Sequence, residues 1–178
     1  QPLVVRMDPR VRTPLPALAQ QLETAQRLAN GLRRDSEALG QLRGVRTQLT
    51  ALKGKGSAEL QTGVTTFDQR AAALDEGAQQ PSAAGNTPLS LAQLNGDLAT
   101  LYALVQSADV APTSQALAAV EQRLQALDAS LAAWRTLREQ NLEELNRQLR
   151  AAGMTPIAVR AQPGRDDPDH AVEDEDEP

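Results

Sequence analysis

The chain is expected to fold as an all-α, antiparallel helical bundle, and three observations lead there. Apolar residues recur in steps of three and four over four separate stretches, the spacing that stacks side chains in one stripe along a helix. Each stretch is bounded by helix-start and helix-stop residues. Aromatics make up only 2% of the chain, one Trp, one Tyr and one Phe. The sequence is instead rich in Ala, Leu and Gln, which suits helices better than the core of a sheet.

Residues 1–12 read as a short strand-like N-terminal arm. Leu3, Val4, Val5 and Met7 precede Asp8-Pro9, which fits the closing strand of a domain upstream, ended by a turn at Pro9. The plainer alternative is a loose arm. Residues 13–156 hold the helices. Thr13-Pro14-Leu15-Pro16 opens the first, because Thr13 can cap and prolines are tolerated where amides lack intrahelical partners. Leu18, Leu22, Ala25, Ala29, Leu32 and Leu39 form its stripe, which then shifts to Leu42, Val45, Leu49 and Leu52 before Gly54-Lys55-Gly56. Gly31, Gly40 and Gly44 each cost about 1 kcal/mol against Ala in a helix; they are expected to permit a close neighbour.

Ser57 caps a shorter second helix with the stripe Leu60, Val64, Phe67, Ala71 and Leu74, ending at Gly77. Ala78 to Thr87 reads as an exposed loop. Thr87-Pro88 is a cap followed by proline at the first helical position, and Leu91, Leu94, Leu98, Leu101 and Val105 form the third stripe. Asp109 to Pro112 turns the chain into a last long helix that stops at Gly153, a candidate left-handed cap with Met154 packing back and Pro156 barring continuation. Its stripe is Leu117, Val120, Leu124, Leu127, Leu131 and Trp134, after which it drifts to Leu142, Leu145 and Leu149. At 1.5 Å per residue this helix is roughly 60 Å long and needs partners to be stable.

The lengths run long, short, short, long. Tight turns make neighbours antiparallel, so the two short helices are expected to go down and back beside one half of the long pair. That predicts a two-helix coiled-coil stalk with a four-helix distal part, and the stripe changes near Leu39–Leu42 and after Trp134 would mark the junction. Residues 157–178 read as a disordered acidic tail, with Ile157 to Val159 expected to dock on the base of the stalk. From Gln162 onward the composition cannot bury enough apolar surface to order.

The net charge of −5 belongs to that tail. Eight acids and one arginine lie between Arg165 and Pro178, so the rest of the chain holds 17 basic against 15 acidic residues, net +2. No cysteine is present, which excludes disulfides and thiolate metal sites. No apolar run approaches the length of a membrane span. The chain begins Gln-Pro, and is read as a piece of a longer protein.

The sequence carries no chemistry-bearing motif: HExxH, CxxC, GxSxG and GxGxxG are all absent. Gly54-Lys55-Gly56-Ser57 is superficially like a phosphate loop but lacks the preceding strand and the Lys-Ser/Thr pair, so a helix-to-helix turn is the better reading. Asp166, Asp167, Asp169 and Glu173 lack the central turn glycine of a calcium loop, and His170 stands alone among them. Glu143 and Glu144 are adjacent and so point apart; Glu143 is expected to pair with Arg147, and Glu23 with Arg27. Arg33, Arg34, Arg43, Arg46, Lys53 and Lys55 make the first helix locally basic, without aromatics to stack on bases, and read as a solvated face. No catalytic, cofactor-binding or metal-ligating residue is assigned, no cofactor is implied, and nucleic acid is not an expected partner.

Val4-Val5-Arg6-Met7-Asp8-Pro9-Arg10-Val11, Thr13-Pro14 and Ala17-Leu18-Ala19-Gln20-Gln21 resemble the C-terminal region of bacterial sortilin-like, BNR-repeat β-propeller proteins, often labelled glycosyl-hydrolase-like. Leu94-Asn95-Gly96-Asp97-Leu98, Val105-Gln106-Ser107-Ala108-Asp109, Ala111-Pro112-Thr113 and Leu145-Asn146-Arg147-Gln148-Leu149-Arg150-Ala151-Ala152-Gly153 are similar too. The resemblance covers Val4 to Pro156 and includes no catalytic motif. It implies an upstream β-propeller as partner within the same chain, an exported parent, and a non-catalytic helical accessory module that mediates protein–protein contact. The rival functions are a share in a glycosidase-like hydrolase whose active site lies in the propeller, and a membrane-surface or nucleic-acid-binding helix array. The acidic tail departs from the resemblance.

Overall fold

The computed structural model describes residues 12–77 and 89–160; the arm before Arg12, the loop between the second and third helices and the acidic tail lie outside them. The fold is all-α, as expected. Its helices are α1 (Leu15–Leu52), α2 (Ala58–Asp75), α3 (Leu91–Gln106), α4 (Ser114–Thr136) and α5 (Glu143–Ala151), with α4 and α5 joined through a π-helical turn, Leu137–Leu142. The α4–π–α5 rod, in pieces of 23, 6 and 9 residues, is as long as α1 at 38.

The caps follow from side chains able to accept a first-turn amide. Ser57 Oγ accepts from the Leu60 amide at 3.3 Å. Ser90 and Gln93 form a reciprocal capping box at the start of α3, three residues after the expected cap at Thr87, which lies outside the described residues. Thr113 caps α4. Thr13 does not cap α1: the N-cap is Pro14, with no side-chain hydrogen bond, and the Thr13 hydroxyl donates to the Asp109 carbonyl instead.

Cross-helix pairs fix the topology. Arg27 reaches Glu121 at 2.6 Å and Arg34 reaches Asp128 at 2.7 Å, so α1 and α4 run parallel and in register. Lys53 pairs with Asp68 and Arg46 with Asp75, so α2 runs antiparallel to the C-terminal half of α1. Asn95 bonds Asp35, and Gln21 donates to the Val105 carbonyl, so α3 runs antiparallel to the N-terminal half. The short helices therefore follow one another along a single line. The described residues form a three-rod bundle made of α1, α2 followed by α3, and α4–π–α5, in which the last rod stays beside α1 as far as α4.

This corrects the expected two-helix stalk and four-helix distal part. It also corrects the expected antiparallel pairing of the two long rods, which run parallel because α2 and α3 together make a single return pass. Two half-length helices match one long helix equally well side by side or end to end, so length does not decide between the arrangements. The stripe of α1 does. It buries Leu28, Gly31, Asp35, Ala38, Leu42, Val45 and Leu49, alternating steps of three and four without a break. A seam of that regularity needs facing helices at every level. The expected change near Leu39–Leu42 is absent, because the true stripe passes through Gly31 and Asp35, while Leu22 is 59% exposed and Ala29 is also on the outside.

The second expected change is real, with a local cause. Buried residues along the last rod run Trp134, Leu137, then Leu142, Leu145 and Leu149. The step of five from Leu137 to Leu142 spans the π turn, whose extra residue rotates all that follows. Beyond it the rod leaves α1: no two Cα atoms of α1 and α5, or of α1 and the π turn, come within 8 Å, whereas α5 lies close to α2. A Cβ on Gly63 of α2 would stand 3.4 Å from Leu145 and 3.2 Å from the Gln148 amide oxygen.

Candidate functional site

The departure of α5 from α1 opens a groove between them, and the chain fills it with its own next segment. α5 ends in a full left-handed cap: Gly153 has φ 69°, its amide donates to the Arg150 carbonyl, and the Met154 amide donates to the Leu149 carbonyl at 2.8 Å. The cap turns the chain back along the groove as an extended strap, Met154–Arg160. Ile157 is buried, and Met154 and Val159 are half-buried against the core. Residues 157–160, assigned to the tail by composition, are thus part of the folded body; Ile157 does dock on the helices, but beside the C-terminal half of α1 and not on the base of a stalk.

Two side-chain amides hold the strap, one from each wall. Asn146 of α5 donates through Nδ2 to the Ile157 carbonyl at 2.9 Å and accepts from the Ile157 amide at 2.7 Å. Gln48 of α1 donates through Nε2 to the Ala158 carbonyl at 2.8 Å and accepts from the Ala158 amide at 3.0 Å. Each carboxamide thus matches one residue's N–H and C=O together, the pairing a neighbouring β-strand would make. Consecutive residues of the strap point their polar groups to opposite walls, as the twofold alternation of extended chain requires.

A second polar feature lies where α2 gives way to α3. Asp35 is fully buried; its Oδ2 accepts from Asn95 Nδ2 at 2.7 Å, and its Oδ1 has no protein partner. Burial pushes its carboxyl up to about 6, against the opposing pull of the Asn95 hydrogen bond and the Arg43 charge. Ser130 Oγ of α4 donates to the Leu89 carbonyl at 2.8 Å. Asp75 is buried beneath Arg43 and Arg46, each 2.9 Å away.

No known protein family, curated protein or solved structure matches this chain.

Several sequence candidates resolve into structure. In the turn Gly54-Lys55-Gly56, Gly54 and Gly56 take positive φ. Gln61 accepts from the Gly54 amide and donates to the Leu52 carbonyl, so the turn's polar groups are used internally, as a helix-to-helix connection. The basic run of α1 meets acids of other helices: Arg34 with Asp128, Arg43 with Asp75, Arg46 with Asp68, Asp75 and Glu76, and Lys53 with Asp68. Two expected pairs differ. Arg147 pairs with Glu144 and Glu143 with Arg150, while Arg27 crosses to Glu121. His170 and the acids Asp166, Asp167, Asp169 and Glu173 lie outside the described residues.

Among the described residues no group of three His, Cys, Asp or Glu could hold a metal ion, and no helix is long and apolar enough to cross a membrane. A shallow groove of about 210 Å³ between α2 and the rod of π turn and α5 is lined in part by Thr62, Thr66, Arg70, Asn141 and Glu144. Its Glu144 is already engaged by Arg147 and by Gln148.

Sequence reasoning missed Gln48, Asn146 and Asp35. Asp35 was findable, because it stands seven residues from both Leu28 and Leu42 and so continues the seam. Asn146 and Gln48 were not, since each looks like an ordinary helix-surface amide until the strap lies beside it.

Proposed function

We propose that this chain is a non-catalytic helical interaction module, carried behind a sortilin-like, BNR-repeat β-propeller in an exported parent protein and mediating its contact with other proteins or its assembly. The observation that carries the reading is the groove between α1 and α5, in which paired carboxamides grip an extended backbone. Recognition of main-chain polar groups on a strand-like segment is a common mode of protein–protein binding. The resemblance of Val4–Pro156 to the propeller proteins supplies the parent. The ion pairing of Arg34, Arg43, Arg46 and Lys53 with acids on other helices argues against a free cationic surface for nucleic acid or an anionic bilayer.

The test is deletion of residues 13–178 from the parent. The propeller's own ligand chemistry is expected to persist, while its assembly, measured by sedimentation or crosslinking, is lost. Lost chemistry with intact assembly would overturn the reading in favour of a share in a hydrolase. BNR repeats in the reading frame upstream of Gln1 are the second requirement, and a frame without them removes the propeller from the account. Salt-sensitive binding of the bundle to oligonucleotides or anionic vesicles would support the helix-array alternative instead.

A further inference from the structure

We propose that the groove between α1 and α5 is a recognition site for an extended segment of a partner protein with an aliphatic residue at its centre, and that Met154–Arg160 is its resident occupant. This rests on the chain being an interaction module and names the surface and the class of partner. Three observations carry it. First, α5 has a support other than the strap: it follows the π turn and packs on α2 through Leu145 and Gly63, and it makes no close approach to α1. Second, the grip is on backbone. Both polar contacts are carboxamide pairs to main-chain N–H and C=O, which any non-proline residues at those two places would satisfy. Selectivity then comes from the single pocket holding Ile157, the one buried side chain of Met154–Arg160, as in strand-addition complexes where main-chain bonds give affinity and pockets give choice. Third, the strap is joined to α5 through Gly153 at φ 69°, one freely rotating residue whose turning frees it at the loss of the Met154–Leu149 capping bond alone.

A resident occupant lowers the apparent affinity for a competitor to the fraction of the intrinsic affinity given by the time the groove stands open. The probe is a labelled synthetic peptide with the sequence Met154–Arg160, titrated by fluorescence anisotropy into the full chain. Ile157→Asp, which expels the strap, is expected to bind the peptide at least about tenfold more tightly than the native chain. Adding Asn146→Ala or Gln48→Ala to Ile157→Asp is expected to abolish that binding. A helical Ile157→Asp chain that does not bind the peptide overturns the proposal, as does binding indifferent to Asn146→Ala.

Should Ile157→Asp not fold, hydrogen exchange on the native chain decides. Exchange of the Ile157 and Ala158 amides ahead of those of Leu145 and Leu149 supports a displaceable strap, and exchange only with the whole bundle overturns it. A concentration-dependent dimer of the native chain lost in Ile157→Asp would assign the groove to a second copy, overturning the partner segment. The deletion of residues 13–178 reads assembly of the parent, whereas the peptide reads this groove, so either can fail alone.

Discussion

Asp35 occupies a seam position between Leu28 and Leu42 where an aliphatic residue would add packing without any desolvation cost. One oxygen is bonded to Asn95 and the other has no protein partner, so the ionised form is penalised by burial. Its carboxyl in the fold, at about 6, lies above its ordinary value of 3.8. The protonated form is therefore favoured by folding, and that stability is complete below the ordinary value and lost as pH rises through about 6. The stability of the native chain, read from thermal melting, is expected to fall between about pH 4 and 6, by an amount on the order of 2 kcal/mol. Asp35→Asn, which imitates the neutral acid, is expected to remove that slope and to be the more stable chain at pH 8. The charged groups nearby are mostly committed elsewhere: Arg43 and Arg46 hold Asp75, Arg34 holds Asp128, and Arg123 holds Asp97. An unchanged pH slope in Asp35→Asn would assign the titration to another group.

Gly31 is the other seam residue that apolar counting passes over. A Cβ there would meet Leu124 Cδ2 at 2.9 Å, with Leu127 and Leu98 at 3.6 Å. Leu124 offers the tip of a flexible side chain, so Gly31→Ala is expected to be near neutral in urea melts: a helix-propensity gain of about 1 kcal/mol offsets the shift it forces. Gly31→Leu has no such room and is expected to cost roughly 1–3 kcal/mol from overpacking.

At the scale of elements, the π turn decides where the last rod goes. Its step of five between Leu137 and Leu142 turns the following helix by about 100° relative to a regular α-helix. Deleting Gln140 is expected to restore a step of four, swing α5 off α2 toward α1 and leave no room for the strap. The readout is loss of protection at the Ile157 amide with helical circular dichroism retained. Preserved protection would show that the strap, and not the turn, sets the spacing. This turn also explains an uneven legibility. The drift after Trp134 is plain in the sequence, but an added residue and a change of neighbours produce the same drift, and only backbone hydrogen bonding separates them. The strap was half legible: Ile157 is an isolated aliphatic beyond a proline, whereas its clamps are surface-type amides with no periodic mark.

For the whole molecule, class, helix number and approximate ends could be read because apolar spacing, the cap at Ser57 and the glycine stops at Gly77 and Gly153 agreed, although Thr13 caps nothing. Relative placement could not. Long-range order among rods is written in cross-helix pairs such as Arg27–Glu121 and Arg34–Asp128, and a linear sequence does not show which charge faces which. The resulting core runs unbroken from Ala25 to Leu49 along α1, which ties both halves together. Leu28→Ala and Leu49→Ala, near opposite ends, are each expected to cost about 2–5 kcal/mol. Each should shift one shared melting transition without splitting it. Two separate transitions would mean that the α2 and α3 halves are independent units.

The strap also gives the molecule a direction of mechanical weakness. Anything tethered beyond Arg160 pulls on a strand attached by successive amide pairs, and such a strand peels one rung at a time where a sheared helix must break many contacts at once. Tension from that end would part Ala158 from Gln48, then Ile157 from Asn146, and unroll the cap at Gly153. Only then would load reach the helices, so the extended segment acts as a fuse that spares the rods behind it.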